Sequence, residues 1–356
     1  MNSSLRSTTY VTVLVAITVA FFRLASVIMI PLIFSILLSY LVHPSVQWMQ
    51  QLRFRIWGKE YPLHPGIAIL FSLLFVYAIL SGFIYLFFNE LAVLITDLPK
   101  YQARITALFL PLQEGYQHLA QRFATKGQPT AEIPFGQTLT VLLGHLPALF
   151  GGITELMVDL ILIFFLSFFM LMYSSSLTDQ FIRMVPREQR GQIKEMFDRL
   201  SEVMQQFLFG MAMAQLSVAV AVWFGLWAIG IQYAFLWGIF SGVLRVIPVV
   251  GLIASAVPPL LMALVQFDRL SPFFITLIYL VGLQVVYDYV LIPLTLGHKV
   301  DINPLAFLLM LMFWGWLWGI WGAILSLPLT ALMRVVFDYT ERLKPVGEML
   351  GEPEKI

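Results

Sequence analysis

Six stretches of the 356-residue chain are apolar for long enough to cross a bilayer core, which takes roughly 20 residues of helix. They cover 10–28, 30–48, 63–89, 151–174, 206–230 and 271–294. Two more apolar stretches, 231–266 and 304–338, are interrupted by glycine and proline. Each reads either as a pair of crossings or as a re-entrant hairpin, and both choices return the chain to the side it left. Within the first lies RVIPVVGLIASAVPPLL, Arg245 to Leu261, which carries one cation, one glycine and three prolines. Proline removes a backbone donor and glycine relaxes the backbone, so the helix is expected to break near Pro248 to Gly251. In hydrocarbon, such a break is tolerated only where it is buried in protein or lines a wet cavity. A bulky side chain at Gly251 is therefore expected to impair function more than folding.

Two polar insertions carry helical amphipathic stripes. Leu91, Leu94, Ile95 and Leu98 fall on one face, as do Leu139, Leu142, Leu143, Leu146 and Leu149, with the Gly/Pro/Gln-rich loop KGQPTAEIPFGQ (126–137) between them. PREQRGQIKEMFDRLSEVMQQF starts at Pro186 and repeats Ile193, Met196, Phe197, Leu200, Met204 and Phe207 at helical spacing. Such stripes lie on a membrane surface, pack on a partner element or form a regulatory docking site. The fold class predicted is all-α: a polytopic transmembrane helical protein with broken helices and amphipathic surface helices. Its organisation divides into N-terminal transmembrane helices (1–90), an external insertion (91–150), the fourth span with a cytoplasmic amphipathic helix (151–205), a transport core with two broken segments (206–338) and a cytoplasmic tail (339–356).

Composition agrees with a membrane protein, at 60% apolar and 12% charged residues, against roughly 25% charged for soluble domains. The first apolar run is followed by Arg23 and further apolar residues rather than a small-residue cleavage site, and reads as an uncleaved span. Of the 21 Lys and Arg, 14 fall on one side of the resulting topology, five on the other and two, Arg23 and Arg245, within spans. The positive-inside rule then places both termini in the cytoplasm and 90–150 outside. A net charge of +1 without a basic run argues against nucleic acid as a partner. With no cysteine, disulfides, thiolate metal sites and cysteine nucleophiles are excluded. No phosphate loop, dinucleotide fingerprint, HExxH or GxSxG is present, and no two of the five histidines (His43, His64, His118, His145, His298) have metal-ligand spacing. No cofactor, metal or enzymatic activity is expected.

Ionisable groups inside spans are costly and point to function. Glu155 and Asp159, four residues apart on the fourth span, are candidates for binding a coupling proton or sodium, or for a solvated interfacial face. Arg245 and Asp288 lie deeper, and pairing would lower the burial cost of both. Gln284 sits one turn before Asp288 on the same predicted helix face.

From Pro186 to the C-terminus the chain resembles the autoinducer-2 exporter family of bacterial polytopic membrane proteins. The likeness rests on FLFG (207–210), IPVVG (247–251), Gln284 followed by a polar pair and LIP ending at Pro293, then Gly297, Asn303–Pro304 and GIWGAILSLPL (319–329). PLIFSILLSYLVHP (31–44) extends it over the N-terminal spans. Val249 and Leu252 replace the family's tyrosine and second proline. Phe209-Gly210-Met211 replaces an Arg-Gly-Gln, and Tyr287 stands where a glutamate is common, the carboxylate following at Asp288. The resemblance implies a secondary transporter of small molecules in the bacterial inner membrane, with autoinducer-2-like signals exported by some members and sodium or lithium exchanged for protons by others. Quorum sensing and homo-oligomeric assembly are expected with it. A small hydroxylated substrate needs hydrogen-bond partners, which exposed backbone near Pro248 and Gly251 supplies together with Gln215 and Gln284. Arg245, Pro293 and Pro304 complete the candidate substrate site, with Asp288, Glu155 and Asp159 as ion-coupling candidates. The glycine pairs Gly238/Gly242 and Gly315/Gly319 predict close helix packing. GVLRVIP (242–248) and GAILSLP (322–328) share a Gly-to-Pro spacing and hint at an internal repeat, whose hairpins could move as one unit in an elevator-like shift. A non-transporting scaffold or sensor is the competing reading, and an intramembrane enzyme the remoter one.

The charge asymmetry makes a direct prediction. In the cysteine-free chain, Gln128→Cys is labelled by an impermeant reagent added to intact cells and Gln192→Cys is not; labelling of Gln192→Cys overturns the orientation.

Overall fold

The computed structural model describes residues 13–14, 17–56, 59–123, 153–247, 250–295, 303–340 and 342–351. The leucine stripe at 139–149, the loop at 126–137, Pro248, Gly297 and most of the first expected span lie outside the described residues.

Helices α1 (Ser26–Gln50), α2 (Pro65–Phe123), α3 (Ile153–Met184), α4 (Arg190–Ile229), α5 (Ala234–Leu244), α6 (Val250–Gln266), α7 (Ser271–Val286), α8 (Ile292–Thr295), α9 (Pro304–Asp338) and α10 (Lys344–Leu350) follow one another. An antiparallel hairpin, Arg53–Ile56 with Lys59–Pro62, joins α1 to α2 and is the sole departure from helix among the described elements other than turns. Six helices or helical runs are long and apolar enough to cross a membrane: Ser26–Gln50, Pro65–Asp97, Met157–Met184, Arg187–Ile229, Ser271–Thr295 and Pro304–Asp338. Large apolar side chains along them, such as Phe75, Ile161, Trp227 and Ile278, remain exposed as they do on lipid-facing surfaces. The protein is a multi-pass helical membrane protein.

Two expectations shift. The third span does not stop at 89; α2 runs unbroken for 59 residues, roughly 88 Å at 1.5 Å per residue, so the stripe at 91–98 belongs to the same helix as the span. The stripe from Ile193 to Phe207 is likewise continuous with the fifth span in α4, and Leu200, Met204 and Phe207 are buried. It packs on this chain's own helices.

The chain forms two compact units. One comprises 1–80, 159–215 and 287–356, the other 81–158 and 216–286. In the first, Leu37, Met204, Leu317 and Leu325 form one core, and Val42, Val46, Ile69 and Leu73 another, the latter capped by Phe164 and Phe168. Small hydroxyls knit the helices: Ser167 Oγ donates to the Ser35 carbonyl across 3.2 Å, and Tyr77 donates to the Leu160 carbonyl across 2.8 Å. In the second unit, Tyr279 donates to the Ala221 carbonyl at 2.6 Å and lies against Gly225, where a β-carbon would fall 2.1 Å from its ring. Small residues let backbones approach in this way without a hydrophobic gain over lipid.

Both interrupted segments are helical hairpins. In the first, α5 ends at Leu244 and α6 starts at Val250. Its two feet meet, since Gln266 Nε2 donates to the Gly230 carbonyl at 2.7 Å and Gln266 Oε1 accepts from the Gln232 N–H at 2.8 Å. In the second, α9 reverses at Gly319, whose φ of 63° is open to glycine alone at low cost. Gly251 is not part of the break. It stands in the first turn of α6, where a β-carbon would lie 1.9 Å from the Leu244 carbonyl oxygen. Gly322 does the same for the second hairpin, 1.9 Å from the Trp314 carbonyl oxygen.

A second correspondence accompanies GVLRVIP and GAILSLP, whose Pro248 lies outside the described residues. GLIAS (251–255) corresponds to GAILS (322–326): in both, the glycine touches the opposite arm, and four residues later a buried serine donates to the carbonyl three residues back, Ser255 to Leu252 at 3.1 Å and Ser326 to Ala323 at 2.7 Å. Internal repetition of this kind is common in secondary transporters.

The same contact corrects the expectation for Gly251. A side chain there collides with backbone, so Gly251→Val and Gly322→Val each lower the melting midpoint of purified protein by an amount equivalent to about 3 kcal/mol, at the upper end of overpacking costs. Gly282→Ala, with nothing within 4 Å of the added carbon, leaves the midpoint unchanged. A Gly251→Val protein that melts with the parent contradicts the close contact.

Candidate functional site

The first hairpin carries its cation at the tip. Arg245, buried, follows the last residue of α5 and donates through Nη1 to Gln284 Oε1 on α7. A guanidinium removed from water needs polar partners, and a neutral amide oxygen supplies one without adding a second charge. The hairpin's base is held by polar contacts to α2. Asp97 accepts from Tyr233, Tyr101 donates to Gln232, and Arg104 pairs with Asp268. Gly230 (φ 87°) closes α4, with Ile231 N–H donating to the Leu226 carbonyl and Gly230 N–H to the Trp227 carbonyl. Burial first, and then the Asp97 hydrogen bond, push the Tyr233 phenol up, so it stays a donor.

Gln215, Asp288, Pro293 and Pro304 belong to the first unit. After α7 the helix widens into a π-helical turn, Tyr287–Leu291. Such turns recur at functional sites because they re-aim side chains and loosen the regular hydrogen-bond ladder. Here the turn buries Tyr287 and leaves Asp288 exposed. The single face expected for Gln284 and Asp288 is thus interrupted by the change of helical pitch. Gln215 Nε2 lies 3.1 Å from the Tyr287 hydroxyl oxygen, whereas Gln215 Oε1, also buried, accepts nothing among the described residues. Pro293 follows in α8 and is exposed. Asn303 and Pro304 form a helix start: Asn303 Oδ1 accepts from Leu305 N–H at 2.9 Å and Pro304 needs no donor at the first helical position. That local geometry gives the Asn-Pro pair a capping role.

The second hairpin has an aromatic tip. Trp314 and Trp318 lie 5.1 Å apart with their rings tilted by 36°, Trp321 meets Phe34 edge-on, and Trp318 Nε1 donates to the Phe22 carbonyl at 3.0 Å. Arg23, the other cation within a span, sits 5.9 Å from the Trp316 ring centre. Trp314 Nε1 is buried and donates to nothing among the described residues.

Of the packing glycines, Gly238 abuts α4, where a β-carbon would lie 2.7 Å from the Ala219 carbonyl oxygen, and Gly242 is buried. Gly315 and Gly319 do not mark a helix–helix contact of that kind. Gly315 has only Ala323 at 4.0 Å, and Gly319 is the reversal itself with nothing within 4 Å. Asp159 is exposed on α3, and the side chain of Glu155 lies outside the described residues. Among the described residues no group of three His, Asp or Glu is arranged to hold a metal. The sequence singled out Tyr287 only as a departure from the family pattern, and Trp314 not at all. Tyr287's signal was its place three residues after Gln284, and Trp314 is one of four tryptophans within eight residues (314–321).

Comparison with known proteins agrees with this architecture. The chain is 25% identical to the AI-2 transport protein TqsA of Escherichia coli strain K12 over 340 residues, 94% of this chain and 92% of that one. It is 26% identical over 348 residues to a Borreliella burgdorferi chain provisionally named a transport protein, covering 97% and 90%. YrrI of Bacillus subtilis strain 168, also provisionally named a transport protein, is 25% identical over 342 residues, covering 91% and 90%. The family described as AI-2E family transporter matches residues 11–342. With that match spanning nearly its whole length, the chain belongs to the AI-2E transporter family.

Proposed function

We propose that this transporter moves a small, polar, hydroxylated solute of the autoinducer-2 kind, and that its two helical hairpins are re-entrant. The observation that carries the reading is the first hairpin. Its α5 arm has 11 residues, about 16 Å of helix, too short for a core of about 30 Å, and its feet are hydrogen-bonded to one another. The second hairpin supports it: Asn303 N–H, at one foot, donates to the Leu350 carbonyl of α10, the helix that follows the other foot. Helix ends that stop inside a membrane expose carbonyl and N–H groups, the chemistry a neutral solute with several hydroxyls requires.

The polar side chains divide the work. Gln215 offers the unused acceptor Oε1 to a solute hydroxyl. Gln284, whose Oε1 accepts from Arg245, is the second candidate contact. Asp288, exposed on the π turn, is the foremost candidate for a coupling proton or sodium, with Asp159 and Glu155 behind it. The name of TqsA supports an autoinducer-2-like solute, and an ion/proton exchange on Asp288 is the alternative that its exposed carboxylate favours. The hairpins moving as a rigid body, elevator-like, is the accompanying mechanism. Both termini face the cytoplasm, and the assembled form is a homo-oligomer in the bacterial inner membrane.

Flux of labelled autoinducer-2 into proteoliposomes, with proton or sodium gradients imposed in turn, tests the reading. Gln215→Ala and Gln284→Ala each raise the half-saturating concentration by about tenfold, the worth of one good hydrogen bond of ~1.4 kcal/mol. Asp288→Asn keeps the fold and the gradient-free exchange but loses the response to the imposed gradient. Unchanged kinetics in all three variants remove these side chains from the pathway.

A further inference from the structure

The chain does not leave the second hairpin at Asp338. A short turn leads into α10, seven residues and about 10 Å of helix, which closes back over the hairpin's own ends. At its far end the Leu350 carbonyl accepts from the Asn303 N–H at 2.8 Å, one residue before α9 begins. Along the way it presses on the last turns of α9. A β-carbon on Gly347 would fall 2.7 Å from Asp338 Oδ1, and one on Gly351 3.1 Å from the Arg334 guanidinium. Within the first unit, α10 is a strap across the two feet of the second hairpin, and it lies at their level.

That level is where the apolar run ends. α9 is apolar enough to cross a bilayer up to Asp338. One residue further, the Tyr339 carbonyl accepts from Gln192 Nε2 at 3.1 Å and its hydroxyl donates to Glu195 Oε1 at 3.4 Å, both partners being exposed polar side chains on α4. A helix laid across the feet at this height runs along the boundary between hydrocarbon and water.

The residues of α10 are sorted for such a place. Gly347 and Leu350, three apart, are buried against the chain. Lys344 and Glu348, four apart, form an exposed polar flank. Pro345, Val346 and Met349 form an apolar flank, on which Val346 is 43% and Met349 76% exposed. Leu343, exposed as well, stands just ahead of them. Facing water, that flank would forgo the free energy of burial; at the bilayer boundary it is buried among acyl chains while the polar flank stays with the headgroups. Charges do not select the lipid, since from Arg334 to Gly351 three cations (Arg334, Arg342, Lys344) balance three carboxylates (Asp338, Glu341, Glu348).

We propose that α10 is an interfacial strap whose partner is the bilayer itself, with Val346 and Met349 seated in the acyl region of one leaflet and the feet of the second hairpin thereby held at the membrane boundary. The inference requires only that the two ends of α9 meet, and stands whether its arms re-enter or cross.

The absence of cysteine from the chain makes the test direct. Val346→Cys, Met349→Cys, Lys344→Cys and Glu348→Cys in the full-length protein each carry one environment-sensitive fluorophore, in phosphatidylcholine nanodiscs with and without a lipid bearing a nitroxide on the acyl chain next to the headgroup. The labels at 346 and 349 emit as in an apolar medium and are quenched about threefold or more as strongly as those at 344 and 348, because an interfacial helix seats its apolar face roughly 5–10 Å into the headgroup/acyl boundary. Adding anionic lipid or raising the salt leaves this difference unchanged. All four positions are exposed, so the melting midpoint stays that of the parent, and either apolar position decides the matter where the other label disturbs it. Water-like emission at 346 and 349, or equal quenching at all four positions, overturns the proposal. Apolar emission at 346 and 349 that ignores the nitroxide also overturns it, and assigns the flank to a second protein surface.

Discussion

A helix that ends inside hydrocarbon leaves unpaired carbonyl and N–H groups that water cannot reach, and the proposed re-entrant reading of both hairpins rests on that constraint. The answer at both interruptions is a turn so tight that the two arms touch through a single glycine. Gly251 lies against the Leu244 carbonyl and Gly322 against the Trp314 carbonyl. Each contact brings the open end of one arm against the backbone of the other, and the serine four residues further on returns its own hydroxyl to the helix rather than leaving it bare. Polar backbone is thus concentrated at two tips, which is where a solute that needs hydrogen bonds would be met.

The bases of the hairpins are secured by different means. Around the first, the Asp97–Tyr233, Tyr101–Gln232 and Arg104–Asp268 contacts bind α2 to the turns flanking α5 and α6. These are hydrogen bonds and an exposed ion pair at the end of the apolar region, where isolated charges contribute little. Two of the three reach the short turn 230–233 and the third reaches Asp268 at the other foot. The second hairpin is instead bedded in apolar and aromatic packing, with Leu317, Trp318 and Leu325 in one core with Leu37 and Met204. The two hairpins share a local design and differ in how firmly the surrounding chain grips them.

Much of this was legible in the sequence. Apolar run lengths located five of the six candidate spans, the Gly/Pro interruptions located both hairpins, and the order of weak motifs pointed to the family that the full-length match shows. What was not legible depends on contacts distant along the chain or on small changes of helical pitch. Gly251 looked like part of the break, because nothing in IPVVG reveals that the helix restarts at Val250 and that Leu244 passes beside it. Asp288 looked like the continuation of Gln284's face, because a π turn at Tyr287–Leu291 leaves no compositional mark. Gly319 looked like half of a packing pair, since a positive φ cannot be told from close approach by residue type alone. Asn303–Pro304 looked like a ligand motif and has a capping role at the start of α9.

The central claim is that the first hairpin enters and leaves the membrane on one side and meets the solute at its tip. Cysteine accessibility measures it in one set of variants, Gln232→Cys and Arg269→Cys at the two feet and Val246→Cys at the tip, each in the otherwise cysteine-free chain. The account predicts that an impermeant reagent labels both foot positions from the same side of sealed vesicles, and that the transported solute slows labelling at Val246→Cys. Labelling of the two feet from opposite sides, or a tip whose reactivity ignores the solute, would contradict it.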